Sequence, residues 1–113
     1  MIKTTIDSTT EFLNPHKVDT IKLYDKESAE IVHILLKPGQ SLKPHITPVD
    51  VFFYILEGNP EIMIGEKREV CFANTLVESP KDIVHCIYNN TDSIARILVG
   101  KAPRPTSPTK IIQ

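Results

Sequence analysis

Apolar positions in this chain fall in short runs, and turn residues interrupt them every eight to twelve positions, a spacing that predicts an all-β domain. Thr20-Ile21-Lys22-Leu23-Tyr24-Asp25 alternates polar and apolar, the period of a half-buried strand, and Asp25-Lys26-Glu27-Ser28 supplies the turn after it. Residues 29–37, AEIVHILLK, predict a second strand, ended by Pro38-Gly39. The longest apolar run is Val51-Phe52-Phe53-Tyr54-Ile55-Leu56. It is short for a helix and rich in β-branched and aromatic residues that suit a pleated surface, so it predicts a strand buried on both faces. Gly58-Asn59 reads as a two-residue hairpin turn. Residues 61–64 and 68–72 flank a turn at Gly65-Glu66, Asn74 marks another turn, and 75–79, 83–88 and 93–101 predict the remaining strands. Met63 and Phe72 are expected in the core.

Alternation also assigns faces. His45, Thr47, Val49, Val51, Phe53 and Ile55 share one side of the central segment, whereas Asp50, Phe52, Tyr54 and Leu56 share the other. The second side is apolar from Phe52 onward, which a small monomer does not leave wet, so a second copy of the chain is expected to cover it together with Val84 and Tyr88. His33 shares a face with Ile31 and Leu35; whether that face points inward, toward a site, or outward is open. Before residue 20 the chain is irregular and broken at Asn14-Pro15, with His16 beside the break as a solvated loop residue. After residue 101 three prolines between Pro103 and Pro108 preclude a central strand, and the tail is expected to lie over the surface or fray. The expected organisation is an arm over 1–19, a barrel over 20–101 and a tail over 102–113.

The 113 residues suffice for one core. Thirteen basic and fourteen acidic residues give a net charge of -1, which offers no footprint for nucleic acid or an anionic membrane. Neither an apolar signal core nor a membrane span is visible, and Cys71 and Cys86 lack metal-type spacing. A cytoplasmic protein with reduced thiols is the plain expectation, with a Cys71–Cys86 disulfide left open.

Two segments carry a resemblance. Gly39, five residues, His45-Ile46-Thr47, three residues, Val51, six residues and Gly58 reproduce the intervals of the first cupin motif. Asn74, five residues, Pro80-Lys81-Asp82, two residues, His85, three residues and Asn89 reproduce those of the second. The chain therefore resembles a small cupin, which implies an antiparallel β-sandwich closed as a jelly-roll barrel. Asn74 and Asp82 stand where glycine is usual, and both residue types tolerate left-handed backbone. The family's metal ligands fall on His45, Thr47, Val51 and His85. Valine has no donor atom, and a threonine hydroxyl is a poor ligand beside imidazole.

Three functions stay open on this reading. The first is a barrel that binds a small, mostly apolar molecule in a pocket lined by His45, Thr47, Val51, Phe53, Ile55 and His85, with a divalent transition metal weakly held at His45 and His85. Two neutral nitrogens favour zinc, nickel or copper over iron or manganese. The second is a metal-dependent isomerase, decarboxylase or oxygenase, against which the missing carboxylate counts. The third is a metal-free enzyme using a histidine as acid or base, which needs a carboxylate or carbonyl to orient the ring. Neither motif supplies an inward acid, and Asp50 points away from the pocket unless a bulge shifts the register.

Overall fold

Alternation along the chain becomes two five-stranded antiparallel sheets packed face to face. The structure is a computed structural model that describes residues 1–6 and 18–112; His16 and the irregular arm over 7–17 lie outside the described residues. Ten strands are present among the described residues: β1 (Asp19–Lys26), β2 (Ala29–Leu36), β3 (His45–Ile46), β4 (Asp50–Glu57), β5 (Glu61–Ile64), β6 (Lys67–Val70), β7 (Leu76–Ser79), β8 (His85–Tyr88), β9 (Ala95–Ala102) and β10 (Lys110–Ile111). The first sheet runs β1-β2-β9-β4-β7 and the second β10-β3-β8-β5-β6.

Each inner face is apolar because residues of one parity point into it. In the first sheet the registers align Val77, Phe53, Val99 and Val32 in one row and Ile55, Ile97, Ile34 and Thr20 in the next. Ile55 and Ile97 are fully buried, and Ile62 and Ile87 meet them from the second sheet within one core cluster. Every buried side-chain nitrogen and oxygen among the described residues has a hydrogen-bond partner. Asn89 shows how: its Nδ2 donates to the carbonyls of Leu36 and Ser93, and its Oδ1 accepts from Thr91.

Turn chemistry holds where it was expected. Asn74 and Asp82, standing where glycine is usual, have φ of 68° and 64°. Gly58 has φ of 84°, and a Cβ there would lie 2.5 Å from the Ile94 carbonyl oxygen, so no other residue fits without moving backbone. That glycine does not close a hairpin, however. Strand β4 belongs to the first sheet and β5 to the second, so residues 58–60 carry the chain between sheets.

Four further expectations change. The central strand β4 is buried on its inner face only; Phe52, Tyr54 and Leu56 stay half-covered on the outside. Phe72 is exposed, whereas Met63 does pack against the core. Phe52, Tyr54 and Leu56 belong to the first sheet and Tyr88 to the second, so the outer sides of the two motif strands are separate surfaces. The tail crosses the surface but ends as an edge strand, Lys110 and Ile111 pairing with Ile46 and His45.

His33 lies on the outer face of the first sheet, between Ile21 and Leu98. It is buried there, and Arg96 Nη1 donates to its Nε2 at 3.3 Å while Arg96 Nε binds Glu57 Oε1 at 2.9 Å. Since an arginine only donates, the imidazole accepts and is neutral. Burial pushes its pKa down, and the Arg96 charge adds to that.

Candidate functional site

One row of the first sheet's inner face is unlike the others. At the end of the barrel opposite Ala95 and Leu36, the registers align Ser79, Val51, Lys101, Glu30 and Asp25, one residue from each of the five strands. His45 and His85 are direct partners in the second sheet, and their rings meet edge-on with centroids 4.4 Å apart. Each sheet therefore contributes polar side chains to the same end of the barrel.

His85 is fixed at both ring nitrogens. Ser79 Oγ is hydrogen-bonded to Nδ1 at 2.6 Å, and Thr47 Oγ1 to Nε2 at 3.2 Å. Phe53 packs edge-on against the same ring, centroids 5.1 Å apart. All of these residues are buried, and Val51 fills the space beside Ser79 with a side chain that has no donor. Ile55 lies four residues further along β4, about 13 Å away along an extended strand, in the apolar row. Thus the structure brings together five of the six pocket residues expected from the sequence and leaves Ile55 in the core.

His45 is held differently. Its Nδ1 lies 2.7 Å from the carbonyl oxygen of Lys43, which can only accept, so Nδ1 carries the proton. In the neutral ring Nε2 then has a lone pair and is an acceptor, whatever else the ring touches. Burial pushes the His45 pKa down; the bond to Lys43 opposes this and the Lys101 ammonium reinforces it. The Lys43 carbonyl is the ring-orienting group that neither motif revealed.

Asp50 is exposed and turned away, as the alternation requires, its Oδ1 accepting from the backbone N–H of Lys81 at 2.9 Å. The inward acid comes instead from outside both motifs. Glu30 on β2 has a side chain only 12% exposed and lies 3.7 Å from Lys101 Nζ and 3.8 Å from Lys22 Nζ. Both Glu30 and Lys101 were detectable in principle, because each continues the buried parity of its strand two positions beyond a buried valine, Val32 or Val99.

A metal held here would draw on His45 and His85. The donor set does not fit a resident ion: Val51 offers nothing, Thr47 is a hydroxyl already bonded to His85, and two imidazoles fall short of the three protein ligands usual even in open zinc sites. Cys71 and Cys86 form no disulfide and do not approach this set as ligands, Cys86 donating to the Leu42 carbonyl.

Comparison with known proteins agrees with the architecture. The family model described as "Cupin domain" matches residues 32–100. Among solved structures, TT1209 from Thermus thermophilus is 28% identical, with a TM-score of 0.80, covering 93% of this chain and 100% of that one. The polyketide cyclase RemF from Streptomyces resistomycificus is 15% identical with a TM-score of 0.85, covering 100% of this chain and 86% of its own. An RmlC-like cupin from Shewanella frigidimarina is 14% identical with a TM-score of 0.80 and 90% of each chain covered. The last two likenesses concern the fold alone. No curated protein matches. No helix among the described residues is long and apolar enough to cross a membrane.

Proposed function

This chain belongs to the cupin family, and from that premise we propose that it binds a small organic molecule at the polar end of its barrel without depending on a resident metal. The observation that carries this reading is the tautomer of His45. A ring whose Nδ1–H is committed to the Lys43 carbonyl is held in the tautomer whose Nε2 can accept an O–H or N–H. Val51, Phe53 and Thr47 supply apolar and hydroxyl contacts around it, the usual division of labour in a small-molecule site. Zinc, nickel or copper is on this reading at most a weak, exchangeable occupant of His45 and His85.

The test is a thermal-shift screen of small metabolites in chelator, since a compound bound only by the folded chain must raise Tm. Hits should lose their effect in His45→Ala and keep it in Asp50→Asn. A protein stabilised only by added metal would sink the reading.

A second reading, turnover by His45 as a general base without metal, is favoured by the same bond. A catalytic imidazole needs its other nitrogen oriented, and the Lys43 carbonyl does this. Product formation from a screening hit, abolished in His45→Ala, separates it from binding alone.

We also infer that a second copy covers the outer face of the first sheet. Phe52, Tyr54, Leu56, Leu98, Ile31 and Leu35 form a half-covered apolar surface there, and its charged neighbours Arg96 and Glu57 neutralise each other. Sedimentation at micromolar concentration should give a dimer that Tyr54→Glu dissociates; a wild-type monomer contradicts it.

A further inference from the structure

The side chains proposed to meet a ligand are closed off from solvent. His45, Thr47, Val51, Phe53, Ser79 and His85 are each at most 7% exposed, so a molecule reaches them only when part of the surrounding wall moves aside. That wall is not equally strong all round. In the first sheet β2, β4 and β9 are eight residues long and paired along their length, and in the second β5 and β8 pair over four residues. Strand β10 has two residues, Lys110 and Ile111, and among the described residues it joins the second sheet where these meet Ile46 and His45. As the Cα partner of His45, Ile111 shares its inward face.

The tail that carries β10 is pinned at two places. Arg104 N–H donates to the Glu27 carbonyl at 3.1 Å and Arg104 Nη1 to Asp25 Oδ1 at 3.0 Å, which fixes the start of the crossing to the β1–β2 turn. At the far end Ile112 N–H donates to the Pro44 carbonyl at 2.8 Å. Between these points Pro105 and Pro108 have no N–H to give, so the crossing from first sheet to second depends on its ends. Strand β3 is held without the tail. On one side of His45 the Leu42 N–H donates to the Ile87 carbonyl at 2.9 Å, and on the other the Thr47 carbonyl accepts from the Asp82 N–H at 3.0 Å. The tail can therefore lift while His45 stays beside β8.

We propose that the tail strand is a strap over the polar end of the barrel: β10 lifts from β3 about the Arg104 anchor, and this opening admits the ligand to His45. The inference rests on the small-molecule reading above and adds the route to the site. Lifting breaks a few backbone bonds at a sheet edge, where water replaces them, whereas parting β5 from β8 or β4 from β9 breaks longer ladders. Both neighbours of His45 in the chain, Pro44 and Ile46, are met by the strap, so its release also loosens the backbone that carries the ring.

Exchange of the imidazole Cε1 hydrogen for deuterium in D2O tests this without any ligand, because a buried ring exchanges only when solvent reaches it. Profiles against pH, read by mass spectrometry on the full chain in chelator, separate each ring's pKa from its limiting rate. Two variants move the strap in opposite directions. Ile111→Ala with Ile112→Pro removes apolar cover and the bond to Pro44, and the limiting rate at His45 should rise about tenfold, as the loss of one hydrogen bond and part of a side chain implies. Ile46→Cys with Lys110→Cys places two thiols on directly opposed residues of an antiparallel pair, within disulfide reach. Oxidised, that protein should exchange His45 several-fold more slowly than when reduced. His33, buried on the outer face of the first sheet, is the control, and its rate should not change in any form. Equal acceleration of His33 and His45 would mean that the tail contributes only to global stability, and an oxidised form as fast as the reduced one would mean that the site is reached elsewhere. Either result overturns the inference and leaves the small-molecule reading untouched, since that reading stands or falls by the metabolite screen.

Discussion

The two ends of the inner face of the first sheet are built on the same strands and held by different forces. At the apolar end Ile55, Ile97, Ala95 and Leu36 are fully buried and contribute only packing. At the other end Ser79, Lys101 and Glu30 face the His45–His85 pair, and order depends on hydrogen bonds at 2.6–3.2 Å and two loose ion pairs. Four residues along a strand separate one regime from the other. A barrel of this size has little core to spare, so stability is concentrated where no polar group interrupts the packing, and the chemistry sits at the end where it does least harm.

Substitutions at the two ends should therefore separate stability from binding. The largest expected effect is Ile97→Ala at the apolar end, which should cost about 2–5 kcal/mol in urea unfolding because the cavity cannot collapse between two sheets. A loss below about 1 kcal/mol would mean that the core is not where the burial places it. Next is an attempt to change the character of the polar end. Thr47→His with Val51→Glu adds two donors to His45 and His85, and zinc affinity measured by calorimetry should rise on the order of a hundredfold. Unchanged affinity would show that the histidines do not converge for metal binding, whereas tight zinc in the wild type would show that the present donor set suffices.

Smaller still is Ser79→Ala, expected to cost about 1–3 kcal/mol because His85 Nδ1 loses its partner in a buried place. Its ring signals in NMR should broaden more than those of His45. If both rings respond alike, the polar end moves as one unit.

The least effect is a slope. His33 and His45 both have pKa values lowered from the ordinary 6.5, by burial first and neighbouring cations second. Below about 6.5 the unfolded chain binds protons that the folded chain resists, so stability is full above that pH and falls as pH drops through the folded-state values. Urea midpoints from about pH 8 to pH 5 should show this, and His33→Gln should flatten the curve without altering the response at the polar end. A midpoint that rises on acidification would reverse the sign and contradict the neutral assignment of both rings.

Much of the fold was legible because strand alternation and turn residues act locally. The run around Phe53 revealed its inner parity, and Asn74 and Asp82 announced positive φ by their chemistry. His45 and His85 were legible through motif spacing, which places them opposite each other. The inward parity of Glu30 and Lys101 was there to read, but their meeting beside Val51 was not, since it depends on the β2-β9-β4 register, a property of three strands assembled and not of any one. Gly58 misled for a related reason: a glycine with positive φ serves a hairpin or a crossing between sheets equally well, and only the partner of the next strand decides. The tail was hidden by its prolines, which bar a central strand but not the short pairing of Lys110 and Ile111 at an edge.

On the reading proposed above, His45 is a neutral acceptor serving an organic ligand and not a metal ligand awaiting its ion. Nitrogen-15 NMR of the histidine side chains, recorded near pH 7 in chelator and again with a hit from the metabolite screen, tests it most directly. His45 should be protonated at Nδ1 alone in both spectra, and the ligand should shift its Nε2 signal while the Nδ1 signal stays in place. A His45 protonated at Nε2, or a stoichiometric metal that survives chelation and is bound through that nitrogen, would contradict it.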